Sequence, residues 1–336
     1  MVKRDDLKRL LESAGVQPRR PLGQNFLTDP NLLRAIARDA EIEPTDLVLE
    51  VGTGTSGLTQ HLCDMAAHVV TVEIDPALAA LSRDQLDGRE NVTLIERDVL
   101  ANKNRIADEV LDAVKKHLAS GNNLRVVANL PYAIATPVVL DLLELDLPLK
   151  RMTVMVQLES AQRFMARPGD PQFNAVSVLV AQLAEAKTLR KIPPAVFFPR
   201  PKISSAVIQL DPRPDRGVRD PIYPALKVIA RSLFNYRRKT LLTAARSSVK
   251  WHPKLACVLE AFAKVGIDSQ RRAEHLQPEE WRALARECAP ALEGFEIEAP
   301  IEEADDSDDG KRVHKNKYES LSSAPDPGDD PEPDTG

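Results

Sequence analysis

Five short apolar runs of β type, each followed by a stretch of helical pattern, constrain this chain more than any other feature: residues 47–51, 69–74, 92–98, 125–130 and 152–157. Strands that alternate with helices build βαβ units, in which a mostly parallel sheet is covered by helices on both faces. Two further β-type runs, 188–192 and 205–210, flank a proline-rich loop and are expected to close the sheet as an antiparallel pair, giving seven strands. Residues 1–40 read as helix, loop and helix, and 102–120 pattern as a helix. Past Pro212-Arg213-Pro214 the pattern is helical only, from 221 to about 286. The expected division is an α/β domain over 1–212, a small all-helical domain over 213–290, and a tail over 291–336. That tail is rich in Asp, Glu, Ser and Pro and is expected to be disordered.

Charge sharpens the division. The formal net charge is −5, yet the residues after Phe295 hold 14 acids against 4 bases, which leaves the first 295 residues at +5. A mildly basic body behind an acidic tail suits a polyanionic partner. No apolar run is long enough to span a bilayer, and residues 1–7 are not followed by the apolar region of a signal peptide. Cys63, Cys257 and Cys288 are widely spaced without a CxxC, as expected for reduced thiols of a cytoplasmic protein. His61, Cys63 and His68 match no standard ligand spacing, so no metal is expected.

The chemistry sits at the strand ends. Asn129-Leu130-Pro131-Tyr132 closes the fourth run. The exocyclic amine of adenine is a poor nucleophile until its lone pair is localised. The Asn129 side-chain oxygen and the Leu130 carbonyl can accept both N–H bonds, with Pro131 restricting Leu130 to extended backbone. Tyr132 offers a ring to the base. After the first run, Glu50-Val51-Gly52-Thr53-Gly54-Thr55-Ser56-Gly57 satisfies GxGxxG, so a dinucleotide is one reading. Three acids favour S-adenosylmethionine: Glu50 would repel a pyrophosphate but not a cationic ligand, Glu73 can take both ribose hydroxyls, and Asp98 can accept the adenine amine. Open α/β sheets bind ligands at the carboxyl ends of adjacent strands.

Two stretches suit RNA. The loop from Pro193 to Lys202 presents Phe197 and Phe198 beside Arg200 and Lys202. Phe197 opposite Tyr132 would form a slot for a flipped adenine, with Phe198 in the core; stacking returns about 1–3 kcal/mol per base. Between Asp220 and Glu260 lie eight Lys or Arg residues and no acid, including Lys227, Arg237, Arg238, Lys239, Arg246 and Lys250. Such a one-sign stretch favours phosphate contact.

With these residues assembled, the chain resembles the ribosomal RNA adenine dimethyltransferases of the KsgA type over about residues 15–285. The resemblance is carried by Leu22-Gly23-Gln24-Asn25-Phe26-Leu27, the Glu50 glycine loop, Glu73, Asp98, Asn129 to Tyr132, Phe197 to Lys202, Phe234 to Leu241, and Arg272 to Leu276. It implies a Rossmann-like S-adenosylmethionine-dependent methyltransferase fold with a helical C-terminal domain. It also implies two successive N6 methylations on each of two neighbouring adenines near the 3′ end of small-subunit rRNA, in a partly assembled subunit. By motif position, Gln24, Asn25, Leu27, Gly52, Gly54, Glu73, Asp98 and Asn129 hold the cofactor. Asn129, Leu130, Pro131 and Tyr132 are the catalytic set, Tyr132 and Phe197 hold the adenine, and Arg200, Lys202, Arg237, Arg238 and Lys239 hold RNA. A monomer is expected.

The pattern departs from the family at Ser56 (usually glycine), Ala133 (asparagine), Ala135 (serine), Leu158 (lysine) and Ser204 (aspartate). Ser56 is tolerable if its backbone keeps a negative φ. Rival readings are a large-subunit rRNA methyltransferase of the resistance type, an assembly factor with little turnover, and, more distantly, a nicotinamide oxidoreductase.

Overall fold

Along the strand Leu47–Val51 (β1) every residue is buried, and successive side chains enter different cores: Leu47, Leu49 and Val51 one way, Val48 the other. The same alternation holds for Val126 and Ala128 against Val127, and for Val154 and Val156 against Met155. A sheet covered on both faces is the cause, since Cβ atoms alternate across a strand. The computed structural model describes residues 4–19, 22–103, 105–118, 122–213 and 216–297. Arg20, Pro21 and the acidic tail from 298 onward lie outside the described residues.

The remaining strands of the main sheet are His68–Glu73 (β2), Val92–Glu96 (β3), Leu124–Asn129 (β4), Leu149–Gln157 (β5), Ala184–Ile192 (β6) and Ser205–Pro212 (β7). Their spatial order is 3-2-1-4-5-7-6. β1 to β5 pair in parallel, and β7 runs antiparallel to both β5 and β6. The order reverses between β1 and β4, which makes their carboxyl ends the ligand crevice of such a sheet. The glycine loop leaves β1 there and Asn129-Leu130-Pro131-Tyr132 leaves β4.

Helices Arg4–Ser13 (α1), Pro30–Asp39 (α2), Gly57–Cys63 (α3) and Pro76–Gln85 (α4) belong to the amino-terminal half. α2 and α3 contribute Ile36, Ala37, Leu58 and Leu62 to the core that holds Val48. The expected single helix over 102–120 is corrected. A small antiparallel pair, Leu100–Asn102 with Arg105–Ile106, comes first, and the helix Asp108–His117 (α5) starts only at Asp108. Ile106 donates its N–H to Asp141 at 2.6 Å, which ties this hairpin to the helix Ala135–Glu144 (α6).

After Leu158–Met165 (α7) and Ala175–Leu183 (α8) come Tyr223–Phe234 (α9), Leu241–Trp251 (α10), Ala256–Lys264 (α11) and Pro278–Cys288 (α12). Their core is continuous with that of the sheet: Trp281 stacks near Phe234, with 5.7 Å between centroids, and Phe173 meets Phe234 edge-on. Glu144 on α6 accepts hydrogen bonds from Tyr223 and Lys227. Leu292 is buried, so packed chain continues past α12. Among the described residues no helix is long and apolar enough to cross a membrane.

Candidate functional site

The loop leaving β1 needs backbone that most residues resist. Gly52 has φ +83° and Gly54 φ +60°, left-handed values that cost a side chain about 1–2 kcal/mol. A Cβ on Gly52 would lie 3.7 Å from the Asn129 carbonyl oxygen, so this loop and the end of β4 are in direct contact. Ser56 also has φ +59°, so the condition under which a serine would sit here without strain is not met. Ser56 is fully buried and its hydroxyl has no hydrogen-bond partner among the described residues.

Glu50 is 1% exposed and does not face a ligand, which corrects its expected part in selecting a cationic one. Its Oε2 accepts from the Thr59 and Thr71 hydroxyls at 2.6 and 2.7 Å, and Thr71 also meets the Thr53 hydroxyl at 2.6 Å. Burial pushes the carboxyl up to about 8 despite the threonine hydrogen bonds, and the Glu73 charge adds to the rise. Glu50 is therefore mostly protonated at neutral pH, and ties β1, β2 and α3 together beneath the loop.

Glu73 lies at the end of β2, 5% exposed. Its two oxygens accept the Gly54 N–H at 2.9 Å and the Asp75 N–H at 3.0 Å, which aims the carboxylate and leaves further lone pairs on both oxygens. Burial raises its pKa. Ile74 is 42% exposed between two buried acids and forms an apolar shelf. Asp75 caps α4 by accepting from Ala77, and its other oxygen accepts from Gln24 Nε2 at 2.9 Å and faces Arg19 Nε at 3.5 Å. The segment before α2 is thus fastened to the end of β2. α1 adds an apolar seal, with Leu7 and Leu11 packed with Phe26, Leu78 and Leu81. Asp98 is exposed just past β3 and accepts the Leu100 N–H at 2.9 Å.

At the end of β4, Asn129 donates its side-chain N–H to the Asn25 carbonyl at 3.1 Å. That bond fixes the amide and leaves Oδ1 as the acceptor; among the described residues nothing donates to it, nor to the Leu130 carbonyl. The Leu130 N–H donates to Met155 at 3.1 Å, and its buried side chain anchors the motif in the core. The Tyr132 hydroxyl meets Ser205 on β7 at 2.8 Å, and burial keeps the phenol protonated. Gly23 backs onto the same motif, its Cβ direction within 3.7 Å of the Tyr132 nitrogen. The structure therefore brings Gln24, Asn25, Gly52, Gly54, Glu73 and Asn129 to Tyr132 together at one crevice. Leu27 sits in a two-residue strand, Phe26–Leu27, partly buried against the core beneath α2.

The expected places of the two phenylalanines are corrected. Phe197 is 1% exposed in the core with Val127 and Met155, while Phe198 is only partly buried and packs towards α1, with Lys8 Nζ 5.3 Å from its ring centroid. Phe197–Phe198 pairs antiparallel with Phe26–Leu27, and adjacent residues of a strand face opposite ways. Phe197 thus backs the β4 motif. Arg200 and Lys202 are exposed, as are Arg238 and Lys239. Arg237 is instead engaged with Glu274 at 2.9 Å and the Pro171 carbonyl, and Lys227 with Glu144, so these two cations brace the fold.

Sequence reasoning missed Asp75, Ile74, Ser205 and the Thr59–Thr71 pair. Asp75-Pro76 carries a helix-start signal that would have found the cap; no local signal announces its bond to Gln24.

The profile of the ribosomal RNA adenine dimethylase family matches residues 15–289. A ribosomal RNA small subunit methyltransferase A from Moorella thermoacetica is 38% identical over 278 residues, covering 82% of this chain and 94% of that protein. In shape the chain is similar to a dimethyladenosine transferase from Plasmodium falciparum (TM-score 0.64, 21% identity, 79% of this chain and 98% of the other). It is also similar to the 23S rRNA methyltransferase ErmE (TM-score 0.55, 26% identity, 78% and 99%). The crevice of β1 and β4 and these likenesses agree, and the chain belongs to the ribosomal RNA adenine dimethylase family.

Proposed function

We propose that this protein transfers methyl groups from S-adenosylmethionine to N6 of two adjacent adenines near the 3′ end of small-subunit rRNA, making each a dimethyladenosine during subunit assembly. The observation that carries the reading is Asn129: its N–H is committed to Asn25 and its Oδ1 is open beside the open Leu130 carbonyl. Two acceptors on one rigid strand end match the two N–H bonds of an adenine amine. The donor set of the crevice also fits the cofactor. Glu73 would take the ribose hydroxyls, Ile74 would lie against the adenine ring, Asp98 would accept its amine, and bare backbone at Gly52 and Gly54 admits close approach. Gln24, Asn25 and Leu27 belong to the segment that closes over it. When bound, S-adenosylmethionine supplies an electrophilic methyl group on a sulfonium.

The chain's own part is positioning and electrostatics. Asn129 and Leu130 hold the amine and stabilise positive charge as it develops on nitrogen, the kind of preorganised dipole that often dominates catalysis. Tyr132 is held by Ser205 to receive the base. Pro131 keeps the Leu130 carbonyl aimed. Among the described residues no side chain stands as an obvious base, and the proton would leave to water. Arg200, Lys202, Arg238 and Lys239 would contact phosphates, which position RNA without reading it, and Arg237 braces that face. On this reading the chemistry would lie in 1–212, with RNA contact shared by 213–290. The protein would act as a cytoplasmic monomer on the precursor subunit.

The likeness to ErmE favours one second reading, methylation of large-subunit RNA. Mass spectrometry after incubation with labelled S-adenosylmethionine separates them, with unmethylated small subunits and protein-free large-subunit RNA offered in parallel. Dimethyladenosine at two adjacent small-subunit sites is expected. Label confined to large-subunit RNA would establish the second reading, and binding to small subunits without label would make the protein an assembly factor.

A further inference from the structure

The chain has two tryptophans, and the fold treats them oppositely. Trp281 is 2% exposed in the helical core, whereas Trp251 is 76% exposed. It ends α10, whose buried positions Leu241, Ala244, Ala245 and Ser248 leave Thr243, Arg246 and Lys250 on the outer face. Arg246 and Lys250 are four residues apart, a like-charge spacing that disfavours a helix, and neither pairs with a described carboxylate. The indole is held on rigid backbone. His252 closes α10 through its N–H to the Ser248 carbonyl at 2.9 Å, and the next 3-10 turn, Pro253–Leu255, starts at once. His252 and Lys254 both engage the Phe295 ring.

An exposed indole at the end of a helix whose outer face carries two cations without a described carboxylate partner suits unpaired RNA: a π-face for a base and positive charge, further round the helix, for neighbouring phosphates. A protein partner for these cations would need acidic groups of its own, whereas RNA carries charge and ring together. We propose that Trp251, with Arg246 and Lys250, is a stacking site for an unpaired base of the rRNA, separate from the adenine slot at β4. The proposal rests on the rRNA reading for the identity of the strand, and extends the RNA face to the end of α10.

The test uses the full chain and neutral acrylamide, which quenches the exposed indole far more than the buried one. Protein-free small-subunit rRNA should suppress quenching. Trp251→Ala should weaken binding of that RNA about five- to a hundredfold, as expected for one stacked base, and Trp251→Phe should restore most of it. Unchanged quenching at saturating RNA, or equal affinity of Trp251→Ala, overturns the site. Protection by assembled subunits but not by naked rRNA also overturns it and assigns the indole to a ribosomal protein. The methylation assay reads independently: protected Trp251 without dimethyladenosine would refute the proposed reaction and leave this site standing.

Discussion

At the amino ends of β1 and β4, Asp46 and Arg125 are buried at 0% and 3% exposure, and their polar groups are matched. Arg125 donates to Asp46 and to the Ala40 carbonyl, while Asp46 also accepts from Glu43 N–H and Asn123. At the carboxyl ends of the same two strands the opposite holds. Gly52, Gly54 and Ser56 have left-handed backbone, the Ser56 hydroxyl is buried without a partner, Glu50 is pushed up to about 8, and Asn129 Oδ1 is open. Buried polar groups are normally satisfied, and strain persists where surrounding structure enforces it, chiefly at functional sites. One end of these strands is finished for stability and the other is left ready for a ligand.

The sharpest way to break that contrast is Arg125→Ala. Stranding Asp46 should cost about 3–5 kcal/mol in urea unfolding, with methyl transfer per folded molecule retained; a small loss would mean water replaces the guanidinium. Glu50 tests the other end. Its carboxyl is raised from 4.5 to about 8, so the folded protein holds a proton that the unfolded chain releases between those values. The stability it contributes is full below pH 4.5 and is lost as pH climbs to 8, by about 4 kcal/mol from the linkage relation. Glu50→Gln should flatten that decline in thermal melts, and parallel curves would show that Glu50 titrates normally.

Asn129→Ala should slow methyl transfer by about 10²–10³, the usual effect of removing one preorganised group. Its melting temperature should hardly move, which is the reverse of Arg125→Ala; unaltered turnover would remove Asn129 from the chemistry. The smallest effect is a gain. Ser56→Gly relieves left-handed strain and deletes an unpartnered hydroxyl, against the entropy of an added glycine, for about 1 kcal/mol net. A rise in melting temperature of about 2–4 °C is expected, and a fall would reveal a partner for that hydroxyl.

The strand-end pattern was legible because it is local. A β-type run followed by glycines, or by Asn129 to Tyr132, carries its meaning within a few residues, and the parallel order around β1 and β4 then follows. What escaped depends on residues distant in sequence. Which phenylalanine enters the core is set by the pairing of Phe197 and Phe198 with Phe26 and Leu27. Arg237 is tied up by Glu274, which no local pattern places beside it. Glu50 looked like a ligand group because depth below a loop is not written in a motif. Ser56 hid its backbone for a related reason: residue type biases φ, but the turn into α3 decides it.

The bond from Asn129 to Asn25 has a kinetic meaning. Asn25 adjoins Gln24, whose own bond to Asp75 holds the same segment against the end of β2. On the proposed function this segment must lift between successive transfers, because each methyl consumes a donor. Lifting it also frees the amide that activates the base. On that reading, emptying the crevice and releasing the Asn129 amide would be a single movement.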